Sequence, residues 1–179
     1  MAATLVTTIG GASANSYVTL DEAETYLDTV LEADAWEAAT APRRTRALLQ
    51  AARQLQDENW IGERATSTQA LAWPRFDASK PDSAIGAYGY GYKTFGGRRG
   101  EVYSVTEIPE RVKQAQIELA LAYLDGWGAD DGADEADVSS LDIEGLSLSF
   151  RSSNPRAGQL PARVAKLIGD LVRGPEFVR

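Results

Sequence analysis

Apolar residues in the first third of the chain recur at three- and four-residue steps, which is the periodicity of amphipathic helices. Thr19 and Glu22 have the spacing of a capping box, so a first helix is predicted to begin there. Pro42 fits the first turn of a second helix, which should reach about Asn59, because its missing amide hydrogen leaves no helical bond unmade there. The residues expected to be buried are Ala23, Tyr26, Leu27, Val30 and Leu31 in the first helix, and Ala47, Leu48, Ala51, Ala52 and Leu55 in the second.

The remaining pattern predicts two further helices and one hairpin. Pro109 opens a helix that glycines near residue 126 bring to an end, and Pro161 opens a last helix that reaches about Val172. Apolar residues alternate on both sides of Glu144–Gly145, which is typical of two short strands joined by a turn. The predicted buried residues are Val112, Ala115, Leu119, Ala120, Tyr123 and Trp127, then Val164, Leu167, Ile168 and Leu171.

These elements predict a mainly α fold, in which four helices form one domain with a small β-hairpin and a long loop rich in glycine and tyrosine. A chain of 179 residues, 44% of them hydrophobic, is long enough for one such core. The predicted single domain, 1–179, has a helical core at 19–75 and 109–127, a loop insertion at 76–106, an acidic linker at 128–137, a hairpin at 138–150 and a C-terminal helix and tail at 161–179.

The absence of cysteine and histidine removes most familiar enzyme designs. Ser-His-Asp and Cys-His arrangements and the common zinc sites all need one of these residues, so neither catalysis nor a cofactor is expected. The acidic linker could attract a hard cation, but its spacing does not match an EF-hand loop and a solvated linker explains it equally well, so no metal is predicted. Nothing marks out a pair of catalytic carboxylates. With no long apolar run and no signal-peptide pattern, we expect a soluble, intracellular protein with no membrane partner.

Charge is unevenly distributed along this chain, whose formal net charge is -8. No lysine or arginine precedes Arg43, a second acidic block runs from Asp125 to Glu144, and the segment from Arg151 onward is mainly basic. The net charge argues against a free-standing nucleic-acid binder, because phosphates would be repelled. The asymmetry predicts complementary surfaces, including surfaces that meet between copies, although solvated faces without a partner explain it as well.

The stretch QALAWPR, residues 69–75, is predicted to be a short helix ended by Pro74, with Arg75 turned toward a neighbouring chain. Three roles stay open for Trp73: a core anchor packed on the Pro42 and Pro109 helices, a protein interface, or a platform for unpaired bases. The glycine tract that follows is not a phosphate-binding loop, because Tyr92 separates its second glycine from Lys93.

In order along the chain, SANSYVTLDEAETYL, ALLQAARQLQ, WIGER, QALAWPR and IPERVKQAQIELALAYL resemble the head-tail connector, or head-completion adaptor, proteins of tailed phages. The resemblance covers roughly residues 10 to 127. Related sequences also carry the description of DnaT-like single-stranded-DNA-binding proteins.

The resemblance implies a homo-oligomeric ring, usually of twelve copies, in the neck of a virion assembled in the host cytoplasm. The ring would contact the portal protein on one side and a neck, tail or stopper protein on the other, and genomic DNA would pass through without sequence recognition. The C-terminal residues from Arg173 would reach toward the portal. The predicted interface residues are Trp73, Arg75, Tyr88, Tyr90, Tyr92, Phe95, Arg173, Phe177 and Arg179.

The alternative function is single-stranded-DNA binding in replication. It requires Arg43, Arg46, Arg53, Trp73 and the tyrosines to share one exposed face, so that guanidinium groups meet phosphates while rings stack on bases.

Overall fold

The computed structural model describes residues 3–81, 101–127 and 160–173, together with the backbone of two strands at 140–143 and 146–149. Helices dominate this part of the chain, which confirms the predicted fold class. The helices are α1 (Leu20–Leu27), α2 (Asp34–Ala38), α3 (Ala41–Leu55), α4 (Glu110–Leu124) and α5 (Ala162–Ile168), and a 3₁₀ turn at Gly169–Leu171 follows α5.

Helix α4 is the centre of the fold, because α1, α2, α3 and α5 all pack against it. An amphipathic helix on a protein surface buries one stripe, but α4 buries every residue from Ala115 to Leu121. Its predicted apolar positions Val112, Ala115, Leu119 and Ala120 are among the buried residues. A helix surrounded by four others therefore also buries polar side chains that the apolar periodicity did not identify.

The predicted helix starts agree with the structure. The Glu22 amide donates to Thr19 Oγ1 at 3.1 Å and the Thr19 amide donates to Glu22 Oε2 at 2.7 Å, which completes the capping box of α1. Pro42 lies in the first turn of α3, and the five apolar residues predicted to be buried on this helix are all buried.

Two helix ends and one whole helix differ from the prediction. Helix α3 ends at Leu55 and does not reach Asn59. Helix α1 ends at Leu27, so the buried stripe stops there and Leu31, predicted to be buried, is 101% exposed. Helix α2 was not predicted, because its five residues are too few to show a helical period.

Two antiparallel pairs of short strands accompany the helices. Strand β1 (Glu63–Arg64) pairs with β2 (Arg75–Phe76), which places the first residue of the predicted loop insertion in a strand. Strand β3 (Ser140–Ile143) pairs with β4 (Leu146–Ser149), and Ile143 lies opposite Leu146 across the predicted turn, so the hairpin is confirmed.

A buried glutamine joins the N-terminal segment to the helical core. Gln116 on α4 is fully buried, its Oε1 accepts from the Tyr17 amide at 2.8 Å, and its Nε2 donates to Ser16 Oγ at 2.8 Å and to the Leu48 carbonyl at 2.9 Å. Because the buried Tyr17 amide would otherwise lose its hydrogen bond, one side chain fixes the segment that leads into α1 against both α3 and α4.

A buried carboxylate on α4 connects this helix to α1 and α5. Glu118 Oε1 accepts from the Tyr26 hydroxyl at 2.8 Å and lies 3.0 Å from Arg163 Nη2, which links α1, α4 and α5. Burial, followed by the hydrogen bond to Glu118, raises the pKa of Tyr26 to about 12.

Candidate functional site

The QALAWPR stretch folds as irregular backbone that leads into β2, so the predicted short helix is wrong. The buried Gln69 explains the difference. Its Nε2 donates to the carbonyls of Leu71 and Pro74 at 2.8 and 3.0 Å, and its Oε1 accepts from the Thr66 amide at 2.9 Å. A side chain thus satisfies the backbone groups that helical hydrogen bonds would otherwise satisfy.

Trp73 lies in the core and is 1% exposed. Its ring makes edge-to-face contacts with Trp60 at 5.8 Å and with Tyr103 at 5.7 Å between ring centroids. Of the three roles considered for Trp73, the geometry favours the core anchor, because neither a neighbouring chain nor a base reaches a ring that is buried inside the protomer.

Arg75 turns inward and not toward a neighbouring chain, which corrects the predicted orientation. Its guanidinium donates to the carbonyls of Ile61, Gly62 and Ala72 at 2.6, 2.7 and 3.1 Å. Burial, followed by the nearby charge of Arg64, lowers the pKa of Arg75. These bonds hold the WIGER segment against the QALAWPR segment, so both motifs serve the same local structure.

The other tryptophans of the N-terminal half are buried as well. Trp36 and Trp60 are each 3% exposed, and Trp60 Nε1 donates to the Leu55 carbonyl at 2.8 Å. The aromatic residue that β2 does expose is Phe76, at 56%. The requirement that Trp73 share an exposed face with the arginines of α3 is therefore not met.

Three exposed arginines nevertheless share one side of α3, which we name the arginine face: Arg43, Arg46 and Arg53. At 100° per residue their Cα positions fall within an arc of about 80°, and Arg53 lies about 15 Å along the helix axis from Arg43. Helix α3 contains no aspartate or glutamate. None of the three forms an ion pair with the residues that the structure describes, and Arg46 Nε donates only to the Pro42 carbonyl of its own helix, at 3.3 Å.

The fourth arginine of α3, Arg44, points to the opposite side and has a structural role. It lies 2.9 Å from Glu24 Oε1, donates to the carbonyls of Trp36 and Glu37 at 2.9 and 3.1 Å, and stacks over the Trp36 ring at 5.4 Å. One side chain thereby links α1 and α2 to the start of α3. The arginines of the arginine face take no part in these contacts.

The segment that Arg44 fixes carries five exposed carboxylates, which we name the acidic surface. Among the described residues none of these groups has an ion-pair partner, whereas the nearby Glu22 pairs with Lys113 at 3.2 Å. The chain thus presents a basic and an acidic surface that do not neutralise each other within the protomer. The acidic surface consists of Asp21, Asp28, Glu32, Asp34 and Glu37.

The C-terminal segment lies against the WIGER segment as far as Arg173. The Arg173 amide donates to the Asn59 carbonyl at 2.7 Å, and Val172 forms an isolated bridge with Trp60. Arg173 is exposed. The other predicted interface residues, which are Tyr88, Tyr90, Tyr92, Phe95, Phe177 and Arg179, lie outside the described residues, as does the acidic linker.

Neither a metal site nor a membrane span occurs where the structure can be described. Residues 3–81, 101–127 and 160–173 contain no group of three or more cysteine, histidine, aspartate or glutamate side chains placed to hold an ion. No helix in the same parts of the chain is long and apolar enough to cross a membrane.

Comparison with known proteins gives one family. A family model described as "Putative DnaT-like ssDNA binding protein" matches residues 1–87, the segment that contains the arginine face and the acidic surface. Neither the curated proteins nor the solved structures give a match. The family match supports the DnaT-like part of the resemblance, and its description does not refer to head-tail connectors.

Proposed function

We propose that this chain is a structural assembly protein that forms a ring between the portal and the tail or neck of a tailed phage. It completes the head, and DNA passes through it without sequence recognition. The protein acts through complementary surfaces and does not catalyse a reaction. The ordered motifs that resemble head-tail connectors support this function.

The observation that carries the proposal is the separation of charge into two exposed surfaces. The arginine face and the acidic surface lack partners among the described residues of their own chain, and a ring of identical subunits supplies both partners at every contact. The buried tryptophans add support, because base stacking needs exposed rings, and Trp36, Trp60 and Trp73 cannot provide them.

Light scattering tests this proposal through the mass of the particle in solution. The protein is measured alone, with the candidate portal protein, and with a fluorescent single-stranded oligonucleotide. We expect a ring, or a complex with the portal, and no change with the oligonucleotide. A protein that stays monomeric, ignores the portal and binds the oligonucleotide would refute the assembly function.

Single-stranded-DNA binding is the second candidate, and the description of the matching family supports it more directly than it supports a connector. The arginine face gives this function a physical basis, because three exposed guanidinium groups on one helix can neutralise about three phosphates. The net charge of -8 opposes it.

Salt dependence and one double variant test the second function. If three phosphates are neutralised, the logarithm of the association constant should fall with the logarithm of salt concentration with a slope of about -2. Replacing Arg46 and Arg53 by glutamate should then abolish binding, while the matched double variant R64E/K166E, at exposed positions elsewhere, should retain it. Equal binding by both variants would exclude the arginine face as the DNA contact.

A further inference from the structure

We infer that the arginine face of one copy docks on the acidic surface of a second copy, so that each subunit uses both surfaces in a head-to-tail contact. This inference rests on the proposed assembly function and adds to it the two surfaces that meet. It goes beyond the resemblance, which does not identify the subunit contact.

The dimensions and chemistry of the two surfaces match. Arg43 and Arg53 are about 15 Å apart along α3, while Asp21 and Asp28 are about 10 Å apart on one side of α1, and α2 carries two further exposed carboxylates. Guanidinium groups bind carboxylates through two parallel hydrogen bonds, so arginine at all three basic positions suits an acidic partner.

Among the described residues the protomer makes no ion pair between these two surfaces. Arg44 reaches from α3 to Glu24 of α1 and to the Trp36 carbonyl of α2, whereas the arginine face lies about 100° or more away around α3. A contact between the surfaces therefore requires a second chain. Because the two patches differ, the contact is heterologous, and it closes into a ring when the rotation between subunits divides a full turn.

Two charge-reversed variants test the contact. The first, R46E/R53E, makes the arginine face acidic; the second, D28K/E37K, makes the acidic surface basic. Both new lysines lie at or near the C-terminal end of a helix, which favours a positive charge and helps the variant to fold. Circular dichroism and the midpoint of thermal unfolding confirm folding before assembly is measured.

Each variant alone sets like charges against each other. The concentration at which half the protein is assembled should rise about 100-fold or more, because juxtaposed like charges weaken an interface by several powers of ten in the strongest cases. In an equimolar mixture the two variants can alternate, and then every contact again pairs opposite charges. Light scattering should therefore show that the mixture assembles where neither variant does. The R64E/K166E variant, which has the same net charge as R46E/R53E, should assemble like the unchanged protein.

The outcomes separate this contact from the proposed function. If the unchanged protein assembles and both reversed variants do so equally well, the contact is refuted and the assembly function stands. If the variants fail separately and also fail as a mixture, the two surfaces do not pair and the contact is refuted as well. If the unchanged protein stays monomeric even with the portal protein, the assembly function fails together with this inference, and oligonucleotide binding lost only in R46E/R53E would assign the arginine face to DNA.

Discussion

Replacing Gln116 by methionine tests how far one polar side chain stabilises the core. The two side chains are similar in volume, so the change removes hydrogen bonds and leaves little cavity. The Tyr17 amide would be left buried without an acceptor, at a cost of about 1 to 3 kcal/mol. Ser16 Oγ keeps its bond to the Val18 carbonyl, and the Leu48 carbonyl lies within α3, so their losses are smaller. We expect the free energy of unfolding to fall by about 2 to 4 kcal/mol in total.

Urea unfolding, followed by tryptophan fluorescence, measures this change. The matched control is Gln114→Met on the same helix, since Gln114 is half-buried and should cost less than about 0.5 kcal/mol. Hydrogen exchange gives a second measurement, because the Tyr17 amide should exchange faster in the Gln116 variant. A loss below about 1 kcal/mol, or equal losses in the two variants, would show that Gln116 does not hold the N-terminal segment in place.

Three further changes test the capping box, the aromatic core and the buried carboxylate. Thr19→Ala should lower the free energy of unfolding by about 1 kcal/mol in urea, because the start of α1 loses its cap; an unchanged value would contradict the capping box. Trp73→Ala should lower it by about 3 to 5 kcal/mol, whereas unchanged stability with lost assembly would make Trp73 an interface residue. In an ultraviolet titration the Tyr26→Phe variant should lose an ionisation near pH 12 that the unchanged protein shows. Because the pKa of Tyr26 is higher in the folded protein than the reference value of 10.0, its stabilising contribution is complete below pH 10 and is lost between about pH 10 and 12; a signal for Tyr26 near pH 10 would contradict this.

The sequence predicted the helices where its signals were local. The Thr19 capping box and Pro42 mark helix starts through contacts within four residues, so no knowledge of the rest of the fold was required. Helix α2 has only five residues and is held by Arg44, which reaches from α3 to α2 and to Glu24 of α1. Such a contact is invisible to periodicity. Leu31 was predicted to be buried because its spacing continues the apolar stripe of α1, but the helix ends at Leu27.

The candidate site was predictable in part. The importance of QALAWPR was predicted, but its conformation depends on the amide of Gln69 and on the guanidinium of Arg75, and their partners could not be inferred from one sequence. The buried Gln116 and Glu118 gave only a weak signal, namely two polar residues enclosed by apolar neighbours on α4. Arg43, Arg46 and Arg53 were identified from the sequence as residues that DNA binding would require on an exposed face. The structure confirms that all three are exposed.

The dependence of binding on salt concentration distinguishes the two candidate partners of the arginine face, which are a second subunit and single-stranded DNA. Two copies that each carry a net charge of -8 repel at long range, and this repulsion is screened once the Debye length falls to about 10 Å, near 0.1 M salt. Ion pairs at contact persist until the Debye length approaches about 3 Å, near 1 M. Assembly should therefore be strongest at intermediate salt and should weaken at both extremes.

Binding to single-stranded DNA follows a different course, because counterions released from the phosphates make affinity fall steadily as salt rises. A light-scattering series from about 0.01 to 1 M salt, with oligonucleotide binding measured in parallel, distinguishes the two profiles. Assembly that decreases steadily over the whole range would contradict a contact between two acidic subunits through local opposite charges. Assembly that is strongest at about 0.1 M salt, and that loses this maximum in R46E/R53E but keeps it in R64E/K166E, would support the contact. It would show that the arginine face attracts a second subunit although both subunits carry a net negative charge.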